Sequence, residues 1–155
     1  MKYVQRVLQP DEQVVHAARL HWFIYLKAIL LLILALVCVV LASGSNDNPG
    51  ISIPLWIGAA VLGLFGLLSG ISAFVRQATT ELVLTDRRVI YKTGLFKRHT
   101  MEMNRSKVET VGIDQSVLGR LLNYGTVIVR GTGGSFEPIR QIDDPLTFRN
   151  HITAG

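Results

Sequence analysis

The sequence predicts a membrane helical hairpin joined to a small all-β domain, a partly open barrel closed by one C-terminal helix. Three observations predict it. Charged residues make up only 17% of the 155 and apolar residues 49%, whereas a typical soluble domain is about a quarter charged. The deficit is local: between Ala28 and Val75 the only ionisable side chains are Cys38 and Asp47. From Gln77 onward the apolar pattern switches to a period of two, until a short helical pattern at the end.

Residues 1–21 are a cytoplasmic leader whose stretch DEQVVHAARLH alternates weakly and offers an extra strand to an open sheet edge. Residues 22–75 form the hairpin. The first span, 22–42, has 21 residues and reaches about 31 Å as a helix, enough for a hydrocarbon core of roughly 30 Å. Trp22, Tyr25 and Lys27 mark one interface. Residues 43–50 (SGSNDNPG) make a polar turn. The second span, 51–75, is uncharged, with Pro54 in its first turn and Trp56 as a belt residue. Val40-Leu41-Ala42 resembles a signal-peptidase site, but the apolar run is long, about twenty residues precede it and a second span follows, so both spans are read as retained. The loop carries no Lys or Arg. Lys2, Arg6, Arg19, Lys27 and Arg76 flank the spans instead, which places both termini in the cytoplasm.

Ala59, Gly63, Gly66, Gly70 and Ala73 form a small-residue seam on the second span, matched by Ala28, Ala35, Cys38 and Ala42 on the first. Such seams let helix backbones approach closely. Packing of the two spans is the favoured use, with association between chains as the other. Cys38 is the only cysteine, so no intrachain disulfide forms. It reads as a small buried or lipid-facing side chain.

Residues 76–155 are the cytoplasmic β domain. Leu82 and Leu84 alternate, a turn follows over residues 85–88, and Val89 and Tyr91 alternate again: a hairpin. Residues 98–104 and 107–115 alternate as two more strands. Residues 116–125 (SVLGRLLNYG) break the pattern as a short helical or looped corner. TVIVRGTGGSFEPIR is two strands about residues 131–134. Asp144 caps a closing helix with Pro145 at its first position, and Pro145, Phe148 and Ile152 share one face.

The glycines at 131, 133 and 134 raise the possibility of a phosphate-binding loop. Such a loop joins a strand to a helix N-terminus. Here strands flank it on both sides, no G-x-x-x-x-G-K-[ST] is present, and Phe136 stands where G-x-G-x-x-G needs its third glycine. The stretch reads as a hairpin turn. His16, His21, His99 and His151 match no zinc pattern, Asp143 and Asp144 are explained by capping, and Ser69 and Ser135 lie in no nucleophile elbow. No catalytic, cofactor-binding or metal site is expected.

Residues 76–155 carry twelve Lys and Arg against eight Asp and Glu. Arg76, Arg87, Arg88, Lys92, Lys97 and Arg98 cluster nearest the membrane in sequence. They are candidate contacts for anionic lipid headgroups, each worth about 1 kcal/mol near an anionic surface. A merely solvated surface explains them equally. Nucleic acid is not an expected partner, because aromatic and basic residues do not interleave.

The stretches ELVLTDRRVIYKTGLFKR, KVETV, DQSVLGRLLNYGTVIVRGTGG and DPLTFR, with His21-Trp22 before the first span, resemble the bacterial pleckstrin-homology-like (PH-like) domain proteins. The resemblance covers nearly the whole chain. It implies a two-helix hairpin and a PH-like split barrel capped by a C-terminal α-helix, in a bacterial inner (plasma) membrane, without enzyme activity. The favoured function is a membrane-anchored scaffold that recruits a protein partner or forms a homo-oligomer at an open sheet edge. The second is a reader of membrane lipids through the six basic residues. The lysine and arginine spacing of phosphoinositide-binding PH domains is absent, so that specificity does not carry over.

Overall fold

The computed structural model describes residues 4–95, 99–132, 134–135 and 138–153. The chain divides into two compact units: Met1–His21 with Arg76–Gly155, and Trp22–Val75.

In the second unit a 3-10 turn, Trp22–Tyr25, leads into α2 (Leu26–Gly44), and α3 follows at Pro49–Thr79. At 1.5 Å per residue these helices run about 28 and 46 Å. Both are long and apolar enough to cross a membrane. The polar turn is shorter than expected. α3 begins on Pro49, whose ring suits a first helical position, and Pro54 lies inside the helix, where it forgoes one backbone hydrogen bond. The last turn of α3, from Arg76, groups with the β-rich unit.

The β-rich unit begins with α1 (Val4–Val7) and β1 (Val14–Ala18). After the hairpin come β2 (Glu81–Thr85), β3 (Arg88–Thr93), β4 (His99–Asn104), β5 (Val108–Asp114), α4 (Val117–Leu121), β6 (Tyr124–Gly131), β7 (Gly134–Ser135), β8 (Ile139–Asp143) and α5 (Pro145–Thr153). One antiparallel sheet has the order β1-β2-β3-β4. In the other, β6 pairs with β5 and with both β7 and β8. Leu84 pairs with Val89, leaving Asp86-Arg87 as a two-residue turn. The N-terminal chain joins the sheets: Leu20 bridges Ile142, His21 N–H donates to Gln141 O and Asp143 N–H to Arg19 O. With α5 at the end of the chain, this is the split barrel with a C-terminal helix, the PH-like architecture.

Period-two alternation sorts the first sheet. Leu82, Leu84 and Val89 lie on one face and Val83 and Ile90 on the other, and all five are buried. Val83 and Ile90 are covered by Val4 of α1, with Leu8 and Ala17 packed alongside. Phe148, Pro145 and Ile152 are the buried face of α5. At the glycine-rich turn, Gly134 has φ +133°, and a Cβ on Gly131 would collide with the backbone carbonyl of Lys107. β7 follows this turn, with no helix in place to cradle a phosphate.

Candidate functional site

Two ends of the β-rich unit can be told apart by strand direction. The Asp86-Arg87 turn and the 3-10 turn Arg105–Lys107 between β4 and β5 lie at one end; Arg105 N–H donates to Arg87 O at 2.8 Å. At the opposite, exit end the chain leaves at His21 and returns at Arg76. There Gln77 Nε2 donates to Leu20 O at 3.3 Å, and His21 stacks on Tyr124 at 5.2 Å.

The six basic residues do not form one face. Arg87 is exposed at the turn end, with its Nε 3.9 Å from Asp86. Lys92 pairs with Glu81 across the strands, five residues from Arg87 and so about 17 Å along β3. Arg76 is exposed at the exit end. Lys97 and Arg98 lie outside the described residues. Arg88 is corrected outright, because its guanidinium is occupied internally. Nε donates to Glu12 Oε1 at 2.9 Å, Nη2 to Glu12 Oε2 at 2.9 Å and to Val7 O at 2.8 Å, and Nη1 to Glu102 Oε2 at 2.6 Å.

Glu12 completes this network. Its carboxylate also accepts from Thr85 Oγ1 at 2.7 Å and Gln9 N–H at 2.9 Å, and its side chain is wholly buried. The hydrogen bonds from Arg88 hold the Glu12 carboxyl well below the usual range, at about 2. A bidentate arginine–carboxylate pair with its remaining lone pairs satisfied is the form in which a buried ion pair is tolerated. It clasps the N-terminal segment to the sheet. Sequence reading missed Glu12, since nothing local distinguishes it from a solvated leader carboxylate.

The structure places two exposed features that bear on binding. The first is the split itself. Among the described residues, no strand pairs with the outer edges of β4 and β5. A cleft of about 690 Å³ runs along β5, with Arg87, Arg105, Glu109 and Ile152 on its walls. The second is the α4 corner. Ser116 caps α4 by accepting from Gly119 N–H at 3.1 Å, and the helix turns Val117 and Leu121 outward, 83% and 79% exposed. A second cavity of about 530 Å³ lies beside this corner, with Ser116, Arg120 and Arg140 among its lining residues.

Within the hairpin, the buried residues are Ala28, Ala35 and Ala42 of α2 and Ser52, Ala59, Gly66 and Ala73 of α3. Both series step by seven, the 3.5-residue period of a left-handed crossing. The seam is therefore narrower than the one read from sequence. A Cβ on Gly66 would meet Leu32 at 2.9 Å, one on Gly70 would make ordinary contact with Ala28 at 3.7 Å, and one on Gly63 would meet nothing. Gly63 thus stands off the contact between α2 and α3.

Among the described residues no cluster of His, Cys, Asp or Glu is placed to hold a metal ion. A family model described as bacterial PH domain matches residues 20–155. No curated protein and no solved structure matches the chain.

Proposed function

Because the chain belongs to the bacterial PH domain family, we propose that it is a non-catalytic binding module, anchored in the bacterial inner membrane by α2 and α3, that recruits a protein partner or a second copy by strand addition. The observation that carries this reading is that, among the described residues, no strand pairs with the outer edge of β4 or of β5. An exposed edge offers a row of backbone donors and acceptors, and an added strand satisfies them while neighbouring pockets supply selectivity. The cleft along β5 is such a pocket.

The anchor is supported by the side chains that the helices leave outside. Leu30, Ile33, Leu36, Ile57, Leu64 and Phe74 are all exposed, a surface suited to lipid. Residues on both sides of the hairpin, Met1–His21 and Arg76–Gly155, build one unit. A hairpin with both flanks on the same side of a bilayer fits this arrangement, and the Lys and Arg distribution favours the cytoplasm.

The test is affinity purification of the full-length protein from its native membranes, with edge crosslinking through Thr100→Cys and Thr110→Cys. The expected result is a discrete partner or dimer crosslinked at these positions. Recovery of monomer alone removes the reading. Lipid recognition by the six-residue basic face is not advanced, since Arg88 is internal and Arg87 and Lys92 stand far apart.

A further inference from the structure

The α4 corner has no role in strand addition, and its surface is unusual for a water-facing loop. Val117, Leu118 and Leu121 are 83%, 55% and 79% exposed on five residues of helix. Leu95, in the β3–β4 connection, is exposed as well. Strand direction fixes where these residues lie. β5 ends at Asp114 just before α4, and β6 starts at Tyr124 just after it; Tyr124 carries the ring of His21. β3 likewise ends at Thr93, before Leu95. All of these apolar tips are therefore at the exit end.

At that end the chain passes directly from His21 to Trp22, and Val75 is followed by Arg76 and one turn of helix. The links between the β-rich unit and the two spans are therefore short in sequence. Arg19, Arg76 and Arg120 are exposed there, a mixture of basic and large apolar groups that suits a headgroup–acyl boundary.

We infer that the α4 corner inserts into the bilayer interface, with Val117, Leu118 and Leu121 in the acyl region and Arg120 among anionic headgroups. The inference rests on the reading of α2 and α3 as membrane spans. It assigns α4 a contact separate from the strand edges, one that fixes the orientation of the domain on the membrane rather than recruiting a partner.

The experiment uses the full chain with Cys38→Ala, labelled with an environment-sensitive fluorophore through Val117→Cys or Leu121→Cys. Glu109→Cys, near the turn end, and Leu36→Cys, on α2, serve as references. Each variant is reconstituted into phosphatidylethanolamine–phosphatidylglycerol vesicles and exposed to nitroxide-labelled lipid or to aqueous iodide. The expected result is severalfold stronger lipid quenching at 117 and 121 than at 109, with iodide quenching reversed. Equal behaviour at 117, 121 and 109, with Leu36→Cys quenched by lipid, overturns the corner and leaves the anchor standing. Absence of lipid quenching at Leu36→Cys overturns the anchor and the corner together. Shielding of 117 and 121 from both quenchers means that protein covers the corner, and this too overturns the inference.

Discussion

The two units of this chain use the same apolar side chains in opposite ways. In the β-rich unit, Leu82, Leu84, Val89, Ile90 and Phe148 are buried. In the hairpin, Ala28, Ala35, Ala42, Ala59 and Ala73 are buried, while Leu36, Ile57 and Phe74 point outward. Water drives large apolar groups together, whereas lipid gives them no reason to leave. The two helices of the hairpin thus meet through small residues, and the β unit is filled by large ones.

The sharpest break of this contrast compares one phenylalanine from each unit. Phe148→Ala removes a fully buried ring and is expected to cost the β unit about 3–5 kcal/mol. Phe74→Ala, at a position 64% exposed, should leave the stability of the hairpin almost unchanged. Denaturant titration of the full-length protein in detergent checks both, and equal effects would abolish the contrast.

Next in size is the charge pair inside the β unit. Glu12→Gln leaves Arg88 with Glu102 as its remaining carboxylate partner and should cost up to about 3 kcal/mol, where removal of a solvated leader carboxylate would cost almost nothing. The folded carboxyl titrates at about 2 against an ordinary 4.5. Its contribution is therefore complete above pH 4.5 and lost only as the pH falls toward 2. Unfolding midpoints of Glu12→Gln and the parent chain should converge over that window.

Smaller still is a pair of substitutions on the seam. Gly66→Leu drives side-chain atoms into Leu32 and should weaken the hairpin by about 1–3 kcal/mol. Gly63→Leu enters open space and should not disturb it. Proteolytic or gel-based unfolding of the hairpin distinguishes the two, and equal loss would mean that Gly63 faces another chain.

The smallest effect is that of His16. Burial first, and then the neighbouring His151, lower its pKa, while Asp144 opposes them; its ring stacks on His151 at 4.8 Å. The unfolded chain takes up this proton near pH 6.5. The stability tied to the neutral ring is thus complete above that pH and is lost as the pH falls through the folded value. A plot of unfolding midpoint against pH should bend downward below 6.5, and His16→Phe should remove that part of the bend.

What could be read in advance was local. The β2–β3 hairpin, the alternation of β4 and β5, and the Pro145–Phe148–Ile152 face of α5 each declare themselves within ten residues, because strand and helix periods are local properties. The hairpin could be read from missing charge alone. The clasp could not. Glu12 meets Arg88 across 76 positions, and neither residue differs in its neighbours from an ordinary solvated charge. The basic cluster misled for a related reason. Closeness along the chain is not closeness in space when a two-residue turn sends one residue to one end of a strand and another to the far end. Val117 and Leu121 lay within a corner that could be anticipated, but only the folded backbone shows that it turns them outward.

The clasp also orders events at the ribosome. Val4, Glu12 and β1 are made before both long helices, yet their partners Val83, Thr85 and Arg88 are translated only after them. This segment must wait for those partners while the apolar hairpin is made. Closing the barrel is thus a late step, one that in a membrane-anchored chain would require the hairpin to return to its starting side. A bulky tag fused ahead of Val4 would interfere with that closure rather than with formation of the hairpin.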